Sequence, residues 1–103
     1  MSVTNTRERI HAAVIRLLHE ERLRQDMSMY QLAPKAGLSQ SALRLIELGE
    51  RKPTLDTLLR VAEALGIELG EILIQATKDV RAGWKPGEVK KTGKTKARSG
   101  RAG

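Results

Sequence analysis

Residues 28–53 read SMYQLAPKAGLSQSALRLIELGERKP, and this stretch decides the fold. Two short helices around a tight turn are expected, followed by a loop. Ser28 is placed to cap the first, over about Met29 to Ala36. Gly37 falls where a left-handed helix terminus is required, a conformation glycine adopts without steric cost. Leu38 is expected as an apolar plug between the helices. Ser39 then caps the second helix, Gln40 to Leu48, by accepting from an otherwise unpaired backbone N–H, and Gly49 ends it. In this second helix Leu43 and Ile46 share one face, while Gln40, Ser41, Arg44 and Leu45 point elsewhere. Outward Gln, Ser and Arg side chains suit hydrogen bonding to base edges in a major groove. A helix, a glycine turn and a second helix is the geometry that presents them there.

Outward from this centre, Thr54 caps a further helix with Leu55, Leu58, Leu59, Ala62 and Leu65 at helical spacing and Gly66 as its stop. All five apolar residues are expected in the core. A last helix, about Leu69 to Val80, offers Leu69, Ile72 and Leu73 to the core and leaves Ile74, Ile67 and Val80 facing outward. Upstream, Asn5 with Glu8 three residues on resembles a capping box. Ile10, Val14, Leu17 and Leu18 follow as an amphipathic stripe running to about Asp26.

The ordered set Leu32-Ala33, Gly37-Leu38-Ser39, Ile46-Glu47, Gly49, Arg51-Lys52-Pro53 and Leu65-Gly66 resembles the lambda-repressor-like, Cro-type, XRE-family helix-turn-helix. The likeness covers about residues 7–77. It implies an all-α, five-helix domain over residues 7–80, while the composition of 81–103 reads as a separate basic, disordered tail. It also implies a DNA-binding transcriptional regulator, most simply a repressor that binds a palindromic operator as a homodimer. Base reading would fall to Gln40, Ser41, Arg44 and Leu45, and phosphate contacts to Ser39, Arg51, Lys52 and Lys35. An Arg near the end of the first helix pairs in this family with the Glu matching Glu47, so Arg22 and Glu47 are expected to form a partly buried structural ion pair. Subunit pairing falls on the last helix, with Ile67, Ile74 and Val80 as the contact residues.

The chain departs from the family at four positions. Pro34 replaces a charged residue and predicts a shortened or kinked helix. Met29 stands where Gln commonly supports a phosphate contact. Leu45 and Leu48 occupy positions that are usually polar. Leu45 suits a thymine methyl; alternatively, both leucines form an apolar patch for a protein partner, as in an adaptor or an antitoxin component. Arg44 suits either a guanine or a phosphate.

Composition bounds the remaining possibilities. The chain has 103 residues, enough for one small domain, and no cysteine, which excludes disulfides and thiolate metal sites. No apolar run approaches the roughly 20 residues of a membrane span. No signal peptide is visible, because Arg7 and Arg9 precede an amphipathic segment. A cytoplasmic, nucleoid-associated protein is therefore expected. His11 and His19 lie eight positions apart on the first helix, two turns and too far to share one ion, so no metal and no cofactor is expected. With no cluster of catalytic groups and no glycine-rich phosphate loop, the sequence does not read as an enzyme.

The net charge of +7 is unevenly distributed. Residues 1–84 hold 12 basic and 11 acidic side chains, whereas 85–103 hold 7 basic and 1 acidic. The high pI is thus mainly a property of the tail, which reads either as a basic arm that neutralises DNA phosphates or as a solubilising extension. Trp84, at the boundary, is expected to pack against the last helix or a dimer mate.

Overall fold

The computed structural model describes residues 5–87. It is all-α, with α1 Thr6–Arg24, α2 Met29–Lys35, α3 Gln40–Glu47, α4 Leu55–Leu65 and α5 Leu69–Arg81, and no strand among the described residues. The disordered tail expected from the sequence lies, beyond Gly87, outside the described residues. Among the described residues, no helix is long and apolar enough to cross a membrane.

Local chemistry fixes the helix ends. Asn5, Ser28, Ser39 and Thr54 each accept the backbone N–H three residues ahead, at 3.2, 3.0, 3.0 and 3.1 Å. A cap of this kind is worth about 1 kcal/mol. At Ser28 it is reciprocal, since the Ser28 N–H donates to Gln31 Oε1 at 2.9 Å. Each C-terminus closes by the same device, a six-residue bond made past a left-handed residue: Met27 to Arg22, Leu38 to Ala33, Glu50 to Leu45, Ile67 to Ala62 and Trp84 to Asp79. Four of the left-handed residues are glycines; the one closing α1 is Asp26, at φ +57°. Aspartate tolerates this conformation better than most side chains.

Pro34 does not break α2. The helix keeps Pro34 inside and ends at Lys35, one residue short of the expected range. Ala36 N–H still reaches Leu32 O at 3.0 Å, so the proline's missing N–H leaves the last turn closed.

The core forms where α1 meets α5, with α3 packed on α1, α4 on both, and α2 joined to α3 and α4. Val14, Leu18, Leu32, Leu43, Leu58, Leu65 and Leu69 are buried in it, and Leu38 packs half-buried against it. Two expectations are corrected. On α4, Leu58, Ala62 and Leu65 are buried, but Leu55 and Leu59 are 64% and 49% exposed, and Val61 takes the place assigned to them. The face that meets the core is therefore 58-61-62-65, with Leu55 and Leu59 on the flank facing away. On α5, the inward residues are Leu69, Ala76, Asp79 and Val80, with Ile72 half-buried and Leu73 exposed. Val80 is thus a core residue, 6% exposed, and unavailable for subunit pairing; Ile67 is half-buried against the core, and Ile74 faces outward.

Candidate nucleic-acid interface

α3 is eight residues long, too short to be stable by itself, so its position depends on what holds it. Leu43 and Ile46 anchor its inner face in the core. Its N-terminus is set by the turn from α2, where Gly37 adopts φ +71° and Leu38 N–H reaches back to Ala33 O at 2.9 Å. Gly37 is also approached closely: a Cβ there would lie 2.9 Å from Arg60 Nη1.

Its C-terminal end is tied to α1 by a buried polar cluster. Arg22, 6% exposed, donates from Nε and Nη2 to the two carboxylate oxygens of Glu47, at 2.8 and 2.9 Å. Its Nη1 donates to Met27 O at 2.7 Å, which also fixes the link between α1 and α2. His19 Nδ1 adds a third contact to Glu47, 2.7 Å from Oε1. Burial by itself would push the Glu47 carboxyl up. The hydrogen bonds from Arg22 and His19, with the Arg22 charge, outweigh burial and hold it below its ordinary value. The structure thus brings Arg22 and Glu47 together, and His19 joins them rather than facing His11. Among the described residues, no group of three His, Asp or Glu side chains is placed to hold a metal ion.

With the inner face anchored, the outer face is defined. Gln40, Ser41 and Arg44 are exposed, Leu45 is half-buried beside them, and Leu48 is exposed at the helix end. Gln40, Arg44 and Leu48 stand four residues apart and form one ridge. Ser39, Lys35, Arg51 and Lys52 are also exposed: Ser39 at the start of α3, Lys35 in the last turn of α2, and the other two in the loop after α3. Ser39 Oγ already accepts from Ala42 N–H, so only its hydroxyl proton remains to donate. Lys52 Nζ lies 3.5 Å from Glu8, an exposed and weak pairing that a phosphate can displace.

A family model described as helix-turn-helix matches residues 18–72, more than half of the chain. The chain belongs to the helix-turn-helix family, of the XRE type. No curated protein sequence matches it. The family is one of DNA-binding regulators that are in general not enzymes. In this helix-turn-helix domain α2 and α3 are the pair for which the family is named, and both lie inside the matched region together with the Arg22–Glu47 cluster.

Sequence reasoning missed two features of this surface. His19 stands three residues before Arg22 on α1, a spacing that already puts both on one face. Tyr30, in the first turn of α2, is 74% exposed on the helix preceding the turn. The Ser28–Gln31 capping box starts α2 there, with Met29 turned against the core and Tyr30 turned outward.

Proposed function

We propose that this helix-turn-helix protein is a sequence-specific transcriptional repressor that lays α3 in the major groove of a palindromic operator and binds as a homodimer. One observation supports this above others: Leu43 and Ile46 are buried, so Gln40, Ser41 and Arg44 are exposed together on the opposite face. Gln40 pairs with adenine and Arg44 with guanine, each in a bidentate manner, and the half-buried Leu45 lies against a thymine methyl. Ser39, Lys35, Arg51 and Lys52 contact phosphates, which sets register without reading sequence. Ile74, exposed on α5 beside Leu73, is the remaining apolar candidate for a twofold contact. Such pairing spaces two reading helices about 34 Å apart, one turn of DNA. The protein acts in the cytoplasm at the nucleoid, with DNA and a second copy of itself as its partners.

Gln40→Ala and Arg44→Ala, assayed separately by competition against unrelated DNA, test the assignment. Each removes about 1–3 kcal/mol of base discrimination, a loss of roughly fivefold to 150-fold in preference for the site. Binding to unrelated DNA stays nearly unchanged. A second reading, an adaptor or antitoxin component, draws on Leu48, which is 55% exposed on the same ridge. Under that reading the two substitutions leave partner binding intact while Leu48→Ser weakens it.

A further inference from the structure

Among the described residues, three buried side-chain polar atoms have no hydrogen-bond partner: His11 Nε2, Arg16 Nε and Trp84 Nε1. A buried donor left unpaired costs about 1–3 kcal/mol, so each of the three calls for a reason. All three residues line one groove of about 750 Å³, bounded by α1, the end of α3 and the segment after α5. Sites for small molecules fall in the range of roughly 300–1,000 Å³.

The groove's chemistry narrows the ligand. Ala12 and Ile15 on α1, Leu48 at the end of α3 and Pro86 give it apolar walls. The unpaired Arg16 and Trp84 nitrogens can only donate, and His11 Nε2 can donate as well. What they lack is an acceptor. Arg9 and Lys52 add positive charge to the same lining. Two carboxylates stand against them, and neither fills the need. Glu47 is engaged by Arg22 and His19, and Glu8 faces Lys52 at 3.5 Å. A carboxylate carried on a small apolar body matches both the walls and the donors.

The indole is the wall able to yield. Trp84 is held by its backbone N–H on Asp79 O at 3.0 Å, past Gly83 at φ +105°, and by the Arg16 guanidinium 5.0 Å from the ring centroid. Arg16 is fixed more firmly, through both Asp79 and Glu20. A head group that enters between the two meets a fixed guanidinium and a movable ring.

We propose that this groove binds a small apolar monocarboxylate, whose head group accepts from Arg16 Nε–H and Trp84 Nε1–H, and that the bound ligand lowers affinity for DNA. The second part rests on the reading of α3 as the DNA-reading helix. Leu48, Gly49 and Lys52 line the groove and also belong to the end of α3 and the loop assigned to phosphates. A negative charge added there attracts Lys52 and repels a phosphate. By linkage, DNA weakens the ligand by the same factor.

Trp84 is the only tryptophan, so the emission of the full chain reports the site directly. Titration with hexanoate should shift that emission saturably. Hexanamide, equal in size and uncharged, should need about tenfold more or greater, because hydrogen bonds to a charged acceptor are the stronger ones. Ala12→Leu fills the groove without removing a hydrogen bond and should weaken hexanoate by about tenfold, with helicity unchanged by circular dichroism. The amide comparison needs no variant and decides the site even if Ala12→Leu fails to fold. Saturating hexanoate should weaken binding to DNA selected by the full chain by about fivefold or more. The DNA affinity of the Ala12→Leu chain should not respond to it. Unchanged or unsaturable emission, or equal affinity for hexanoate and hexanamide, would overturn the site and leave the three nitrogens to solvent. Saturable binding with unaltered DNA affinity would overturn the coupling alone. Failure of the full chain to select any DNA while hexanoate still binds would sink the assignment of α3, and the coupling with it, while the groove stands.

Discussion

α1 and α5 are 19 and 13 residues long and meet along apolar faces, whereas α2 and α3, at 7 and 8 residues, are held at a few points. The long pair draws its stability from area: Ala13, Val14, Leu18, Ala76 and Val80 are all buried, and apolar burial contributes about 25 cal/mol per Å². The short pair depends on two serine caps, one glycine turn and one buried ion pair, in addition to Leu32, Leu43 and Ile46. Distributed packing shares its stabilisation among many side chains, whereas the orientation of the short pair rests on few. The outer face of α3, the proposed reading surface, is therefore positioned by few contacts. Its outward residues take no part in that support and are free to vary.

The largest expected effect comes from removing one half of the buried cluster. Glu47→Ala leaves Arg22 buried without its carboxylate, and urea unfolding should show a loss of about 3–5 kcal/mol. The exposed Arg60–Asp56 pair on α4 is the control, since Asp56→Ala should cost at most about 1 kcal/mol. Comparable losses for the two would mean that α3 is not held by this cluster.

An intermediate effect is expected at the turn. Gly37→Ala forces a side chain into φ +71°, at about 1–2 kcal/mol. The close atom, Arg60 Nη1, is the end of a flexible side chain and moves aside, so the backbone conformation sets the cost. DNA binding should weaken with it, because the angle between α2 and α3 depends on this residue. A thermal melt and a binding titration on the same variant separate the two consequences.

The smallest effect separates the two regions by pH. Burial holds the His11 imidazole below its ordinary value of 6.5; Lys52 lowers it further, and Glu8 opposes them. The unfolded chain then takes up a proton on His11 before the folded one does, so stability falls as pH drops below 6.5 towards the folded value. Glu47 behaves as a depressed carboxyl, with its contribution fully present above its ordinary 4.5 and lost as pH falls through the folded value. Urea unfolding at about pH 7.5, 5.5 and 3.5 should show both steps. His11→Gln should flatten the first and Glu47→Gln the second.

Much of this is readable in the sequence because it is local. Caps act over three residues and turns over two, so Ser28, Gly37, Ser39, Gly49 and Thr54 announce their elements without reference to the rest of the chain. Which side of a helix meets the core is a different matter. On α4, leucines at 55, 58, 59 and 65 fit two adjacent stripes equally well, and only the placement of α4 against α1 and α2 chooses the one containing Val61. On α5, Ala76 is too small to mark a core face by its residue type. It is fully buried, and it aligns with Val80 and leads to Trp84. The Ala-Gly-Trp sequence after α5 holds the missing signal, a left-handed glycine followed by a large apolar residue, the same pattern that seats Leu38 after Gly37.

The measurement that tests the central claim most directly is a selection of genomic DNA fragments by the full chain at physiological salt, repeated with a chain carrying both Gln40→Ala and Arg44→Ala. If α3 is the reading helix, the full chain enriches one inverted repeat with half-site centres about 10 base pairs apart. The double variant loses that motif while still retaining DNA. Recovery of no motif by the full chain, or of the same motif by both chains, would contradict the assignment of Gln40 and Arg44 as the residues that read sequence.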